Sequence, residues 1–193
     1  MPMHTTPPLL PQQWSSAYTS YWLPMREEDQ ITSGYCWFDY GRNICRIDGL
    51  FNPWSERETR HRLWMSEIGD ARRGQSHKEK VAYARETVAA EVRLYETVLP
   101  DSVTPFQELF LPQTILVDGA ARHDGRHVVL GQSADAWVVE LAGQAPSVFY
   151  LQAGGNCLLR MVTGKDAQHL SVRDFPNFFA GDIPDSVFMT QPG

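Results

Sequence analysis

Several polar side chains of this sequence stand inside apolar, strand-forming stretches, and each is of a type that moves protons or grips carboxylates. Glu67 closes the run Leu63-Trp64-Met65-Ser66, where a partly buried carboxylate suits general acid–base work near neutrality. The plainer alternative is a strand-end carboxylate in solvent. Arg173 lies between Val172 and Asp174-Phe175. Its guanidinium either forms a local ion pair with Asp174 or clamps a substrate carboxylate through paired hydrogen bonds. Tyr18 and Ser20 are two apart, so one strand face carries both hydroxyls, either toward a ligand or satisfied within the sheet. Phe51-Asn52-Pro53 offers a ring and an amide at a strand end, or an ordinary turn with Asn ahead of Pro.

The elements that must position these groups are mostly strands. Half of the aromatic residues fall between Trp14 and Trp64, and Trp14, Ser16, Tyr18, Ser20 and Trp22 recur at the strand period of two. Thr32 to Tyr40 and Ile44 to Phe51 read as strands joined by the turn Gly41-Arg42-Asn43, with a further strand from His61 to Ser66 and a polar connection from Gly69 to Gln75. Together they predict a broad aromatic surface set with hydroxyls and amides, suited to a large, flat, mostly apolar molecule.

Lys78 to Val98 reads two ways. Val81, Arg85, Val88, Val92 and Tyr95 fit a helix, whereas Lys80-Val81-Ala82-Tyr83-Ala84 alternates like a strand. Pro105 to Gly119 predicts a helix with Phe106, Leu109, Phe110 and Leu116 on one face, broken by Pro112 and stopped at Gly119. Strands return at His127 to Leu130 and Ala136 to Val139, and again at Ser147 to Leu151 and Leu158 to Val162. The last pair flanks the hairpin signal Ala153-Gly154-Gly155-Asn156, and Ser171 to Phe175 is a final short strand. Residues 1–12 form a Pro-rich arm and residues 13–190 one domain, β-dominated and α+β in class.

Composition narrows the function. A net charge of −6 argues against nucleic acid as a partner. The mixed but locally basic charges between Arg57 and Arg93 read as a solvated face, the alternative being a rim that attracts anions. No apolar run is long enough to cross a bilayer, and the N-terminus lacks the pattern of a secretory leader. Three cysteines without metal-type spacing suit a reducing compartment, so a cytoplasmic protein with no membrane contact is expected.

Catalytic motifs are sparse. Gly131-Gln132-Ser133-Ala134-Asp135 begins like a nucleophile elbow but lacks the closing glycine, and reads as a hairpin turn. His123 and His127 are separated by Asp124-Gly125, a turn signal that argues against two metal ligands on a helix. With no Gly-rich phosphate loop, neither metal nor nucleotide cofactor is expected.

Longer strings carry a resemblance. Thr32-Ser33-Gly34-Tyr35-Cys36-Trp37-Phe38-Asp39-Tyr40, the run from Ile44 through Asp48-Gly49-Leu50-Phe51-Asn52-Pro53-Trp54 to Arg57, and Leu63-Trp64-Met65-Ser66-Glu67 resemble the VioE family of violacein biosynthesis proteins. So do Trp14-Ser15-Ser16-Ala17-Tyr18, Lys80-Val81-Ala82-Tyr83, Glu108-Leu109-Phe110-Leu111-Pro112, Leu159-Arg160-Met161-Val162-Thr163-Gly164 and Arg173-Asp174-Phe175-Pro176-Asn177. The similarity runs from about Pro7 to Phe188.

The resemblance implies a strongly curved antiparallel sheet, a half-barrel with short helices like the bacterial lipoprotein carriers, holding its ligand on the concave face. It tilts residues 78–98 toward strand. It also implies a homodimer without cofactor or metal, fed by an upstream enzyme with the imine dimer of indole-3-pyruvate. The implied reaction is a 1,2-migration of an indole ring toward the protodeoxyviolaceinic acid skeleton, in competition with spontaneous closure to chromopyrrolic acid. Carried onto matching positions, the site comprises Glu67, Arg173, Ser20 and Asn52 in catalysis, with Tyr18 and Phe51 binding substrate. Since the competing closure proceeds unaided, a preference of about 1.4 kcal/mol for one folded substrate shape already diverts product tenfold. The alternatives are a cytoplasmic carrier of an apolar ligand and a scaffold that docks the upstream enzyme.

Overall fold

Alternation of aromatic with small residues is a strand pattern, and strands are what the computed structural model contains. It describes residues 6–51, 61–106, 111–140, 142–143 and 145–189. In chain order these are β1 (Gln13–Leu23), β2 (Thr32–Asp39), β3 (Ile44–Phe51), β4 (His61–Asp70), β5 (Gln75–Val88), β6 (Glu91–Pro105), helix α1 (Ile115–Asp118), β7 (Arg122–Val129), β8 (Gln132–Val139), β9 (Ser147–Gln152), β10 (Leu158–Asp166), β11 (His169–Asp174) and β12 (Phe179–Ala180). A 3-10 turn spans Asp185–Phe188. Neighbouring strands run antiparallel in the order β6-β5-β4-β3-β2-β1-β11-β10-β9-β8-β7, and β12 pairs with β1 beside β11.

The expected half-barrel is corrected by this order. The sheet is open, with β6 and β7 as separate edges at opposite ends, and it neither closes nor curls strongly. The β-dominated class with short helices stands.

Residues 78–98 are two strands, β5 to Val88 and β6 from Glu91, on either side of a turn. Lys80 pairs with Leu99 and Val88 with Glu91, and the hairpin turns at Ala89 and Ala90, both at positive φ. The helix formers in this stretch yield to cross-strand pairing, which outweighs propensities worth a few tenths of a kcal/mol per residue, in order of magnitude. Of the helix expected from Pro105 to Gly119, the described residues from 111 onward keep the single turn of α1, and residues 107–110 lie outside the described residues. Pro105 still pairs with Gln75, and Pro112 supplies no N–H. Of its expected apolar face, Phe106 and Leu116 enter the core, while Leu109 and Phe110 lie outside the described residues. Asp124-Gly125 is a register shift inside β7, not a turn, and the β7–β8 hairpin bends at Leu130 and Gly131 instead.

One face of the sheet carries the main core. Trp14 is fully buried, stacked between Phe38 (4.5 Å) and Phe178 (4.7 Å), with Phe175 edge-on at 5.8 Å. Its indole N–H donates to the Tyr40 hydroxyl at 3.2 Å. Cys36, Cys45, Trp137, Phe149 and Leu151 extend this core sideways. From the arm, Leu10 is buried against it, its N–H donating to the Gln113 carbonyl. Where β1 changes partner from β12 to β11, the Asn177 side chain fills the gap, accepting from the Ala17 N–H at 2.7 Å.

Buried acids give this core an alkaline weakness. Burial pushes the Tyr18 phenol and the Cys36 thiol up to about 12, and raises Tyr40 and Cys45 as well. A raised folded-state value contributes stability that is complete below the ordinary values of 10.0 and 9.0 and is lost as pH climbs through about 12. Each such group removes up to about 1.4 kcal/mol per pH unit in that window. Urea midpoints measured from pH 8 to pH 11 should therefore hold level at first and then fall steeply; a flat profile would contradict the burial of these four groups.

Candidate functional site

Side chains of even number on β1 face the core side of the sheet, and they pass from sealed to open along the strand. Trp14 and Ser16 are fully buried and Tyr18 is 5% exposed, while Ser20 and Trp22 are partly exposed. In register, Ser20 lies opposite Arg173 of β11, and cross-strand partners share a face. The same rule carries the face across the next strands. One row runs Tyr18, Gly34, Gly49, Met65, and the adjacent row runs Ser16, Cys36, Ile47, Glu67. Tyr18, Ser20, Glu67 and Arg173 therefore stand on one face.

Tyr18 bridges this face. Its ring lies under the Arg173 guanidinium, whose Cζ is 5.4 Å from the ring centroid. In the other direction it crosses Gly34, and its hydroxyl ends above Gly49, where a Cβ would overlap it. Gly34 and Gly49 are paired across β2 and β3: the bare Gly49 leaves room for the end of the ring, while Gly34 allows the close approach of the Asp48 carbonyl. Burial holds the Tyr18 phenol neutral at ordinary pH, with Arg173 pulling weakly the other way.

Arg173 is the unusual group. The local ion pair with Asp174 that the sequence allowed is absent, because adjacent strand residues point to opposite faces. Asp174 instead holds Arg160 on the far side, at 2.5 and 2.9 Å, and accepts from the Tyr21 hydroxyl at 3.4 Å. Arg173 Nε is buried without any hydrogen-bond partner, the only such side-chain atom among the described residues. A buried donor left unpaired costs about 1–3 kcal/mol, and a carboxylate is the acceptor that fits a guanidinium best.

Glu67 is buried, not at a solvent-exposed strand end. Its Oε1 accepts from Ser76 Oγ at 2.5 Å and Thr104 Oγ1 at 3.1 Å, and Lys78 Nζ is 3.3 Å away. Counted along the sheet, β4 is three strands from β1 and four from β11, with strands about 4.8 Å apart. Tyr18, Ser20 and Arg173 thus form one compact group and Glu67 centres a second, with the Tyr18 ring reaching as far as Gly49 on β3. Phe51 pairs through its backbone with Thr32 and Leu63 on the flanking strands, and Asn52 lies outside the described residues.

The broad aromatic platform expected from the sequence is largely divided. Trp14, Phe38 and Tyr40 serve the core, while Tyr35 and Trp37 turn to the opposite face, where Arg46 lies over Trp37. At the open end of β1, Trp22 stacks on His169 at 4.6 Å, and His169 Nε2 is 2.9 Å from Asp29. His123 and His127 do not converge: His123 sits against Asp135 and Trp137, His127 against Tyr150. Among the described residues no group of three or more His, Cys, Asp or Glu comes together to hold a metal. A cleft lined by Ile44, Ile68, Asp70, Arg72 and Phe188 holds none of the six residues singled out from the sequence, but Ser76, which bonds Glu67, also borders it. Sequence reasoning passed over Gly34 and Gly49, although glycine inside a strand signals close approach. It also passed over Ser76, Lys78 and Thr104, which only the strand register brings to Glu67.

A family model described as "Violacein biosynthetic enzyme VioE" matches residues 7–188. No curated protein matches the chain. A structure of an uncharacterized conserved protein from Thermus thermophilus is similar at TM-score 0.52 and 12% identity, covering 95% of this chain and 87% of that one. The MucA/MucB complex of Pseudomonas aeruginosa is similar at TM-score 0.46 and 12% identity, covering 92% and 55%. A LolA superfamily protein from Nitrosomonas europaea is similar at TM-score 0.37 and 8% identity, covering 94% and 92%. At such identities the first likeness is one of fold alone. The expected cytoplasmic location is corrected: it was read from the three cysteines and the pattern of the first residues, whereas the similar solved structures include MucB in complex with MucA(peri), at TM-score 0.45.

Proposed function

The chain belongs to the VioE family of violacein biosynthetic enzymes, and from that premise we propose that it directs a 1,2-indole migration in the imine dimer of indole-3-pyruvate. The observation that carries this reading is Arg173 Nε, buried and without an acceptor beside the Tyr18 ring. A bis-indole with two carboxylates matches those neighbours. One carboxylate completes Arg173, an indole lies against Tyr18, and Ser20, whose hydroxyl bonds no described residue, meets a second polar atom. Asn52 and Phe51 join as further contacts. The substrate is thereby folded into the shape from which migration outruns self-closure, an orientation effect able to exceed the roughly 1.4 kcal/mol needed for a tenfold diversion.

Glu67 supplies the proton step. As the imine isomerises to an enamine, the C–H bond next to the imine breaks, the proton passes to the carboxylate, and it returns when the migrated skeleton is set. The working unit is a homodimer that receives its substrate from the upstream imine-forming enzyme.

A coupled assay with that upstream enzyme tests the proposal by the ratio of rearranged to chromopyrrolic product, with and without this protein. Rearranged product should predominate, and should exceed one equivalent per chain. Product limited to one equivalent indicates a carrier, and an unchanged ratio removes the proposal.

A further inference from the structure

The three groups around Glu67 all meet the same oxygen. Ser76 Oγ at 2.5 Å, Thr104 Oγ1 at 3.1 Å and Lys78 Nζ at 3.3 Å converge on Oε1, and Ser76 and Thr104 also touch each other at 2.7 Å. No described residue bonds Oε2. Nor is Oε2 sealed away, because Arg173 Nε is the only buried side-chain polar atom without a partner among the described residues. The donors come from two register positions: Ser76 and Lys78 alternate on β5, and Thr104 lies opposite Ser76 on β6. Glu67 itself is opposite Ile47, on the same face of β3 as Gly49, where the Tyr18 hydroxyl ends.

From this we infer that Glu67 works through Oε2 alone, with Ser76, Thr104 and Lys78 as positioning residues that fix Oε1 and so hold its partner oxygen in one direction. The inference rests on the proton role proposed above and specifies the device behind it. A carboxylate free to rotate presents either oxygen in many directions. One oxygen held by two hydroxyls and an ammonium leaves a single rotamer, and fixed geometry is what proton transfer to carbon requires. Two titratable groups face this carboxylate: Lys78 on β5, 3.3 Å from Oε1, and Cys45 on β3, whose thiol it helps to hold protonated.

The donor set predicts the outcome of an isosteric exchange. In Glu67→Gln the amide oxygen must take the Oε1 position, since three donors meet there, and the NH2 group then occupies the position of Oε2. That variant keeps the network and the fold yet cannot accept a proton. In the coupled assay its kcat for rearranged product should fall about a hundredfold or more with KM little changed, the range ascribed to general acid–base groups. Ser76→Ala and Lys78→Met should each lower kcat about tenfold or more by loosening the carboxylate, again with KM retained. Thr104→Ser, which keeps the hydroxyl, should behave as wild type, whereas Thr104→Val should not. In deuterated water, label at the carbon next to the former imine should drop in step with kcat.

The outcomes separate cleanly. If wild type does not redirect product, the functional proposal fails. If wild type redirects product but Glu67→Gln turns over normally, the proton role fails. If Glu67→Gln is impaired while Ser76→Ala, Lys78→Met and Thr104→Val match wild type in kcat and labelling, the positioning inference is overturned. Variants are compared only where their thermal melts remain cooperative, and Thr104→Ser against Thr104→Val supplies the minimal pair if Ser76→Ala or Lys78→Met does not fold.

Discussion

Arg173→Ala should lower the yield of rearranged product about tenfold or more relative to the chromopyrrolic side product, without lowering the melting temperature. The two halves of this expectation have separate causes. A charged hydrogen bond to a carboxylate contributes about 1.5–3 kcal/mol net, which converts to roughly ten- to a hundredfold in product partition. Stability moves little, because the side chain lost is one whose Nε has no partner to abandon. Removing an unsatisfied buried donor relieves a cost of about 1–3 kcal/mol, against which stands the contact with the Tyr18 ring, about 0.5–1 kcal/mol. Arg173→Lys should not restore the ratio, since an ammonium lacks the planar fork and places its charge differently. Parallel product analysis and thermal melts check both halves. A variant that loses stability in proportion to activity would reduce Arg173 to a structural residue.

Gly34→Ala and Gly49→Ala should both fail, but for different reasons that one further substitution separates. At Gly34 a Cβ overlaps the Asp48 carbonyl and the Gly49 Cα, so the β2–β3 pairing itself must part. The expected loss is on the order of 3 kcal/mol or more, the scale of overpacking and backbone strain. At Gly49 the severe overlap is with the Tyr18 hydroxyl, while Tyr18 Cζ stands at 3.4 Å, an ordinary contact. Gly49→Ala should therefore evict the ring and abolish product control. Tyr18→Phe removes the offending atom, so the double variant Gly49→Ala/Tyr18→Phe should be more stable than Gly49→Ala alone, by about 1 kcal/mol or more of coupling in a double-mutant cycle. Gly34→Ala should gain nothing from Tyr18→Phe. Additive stabilities at Gly49 would show that the ring does not occupy the space above it.

What the sequence disclosed divides along a physical line. Strand limits at Ile44 to Phe51 and the hairpin after Gln152 were legible because alternation and turn residues are local signals. The common face of Tyr18 and Ser20 followed from spacing alone. Its junction with Arg173 did not, since that depends on β1 pairing with a strand about 150 positions later in the chain. Residues 78–98 stayed ambiguous because good helix formers line a ribbon whose pairing is invisible locally. The Arg173–Asp174 ion pair was a natural reading of neighbours in sequence, and the strand period undoes it. The half-barrel came from resemblance and could not have come from local pattern, because closure depends on how edges meet. Aromatic richness was read as ligand surface, yet much of it proved to be core, since composition does not say which face a ring will take.

The antiparallel seam between β1 and β11 has a consequence for the life of the chain. Ser20 and Tyr18 emerge early in synthesis and Arg173 near its end, so the trio is absent from every nascent intermediate. Closing so wide a loop is entropically costly and kinetically late. Until β11 docks, neither Tyr18 nor Ser20 has Arg173 beside it, and on the function proposed above a chain ended before β11 should lose product control whatever else of the sheet has assembled.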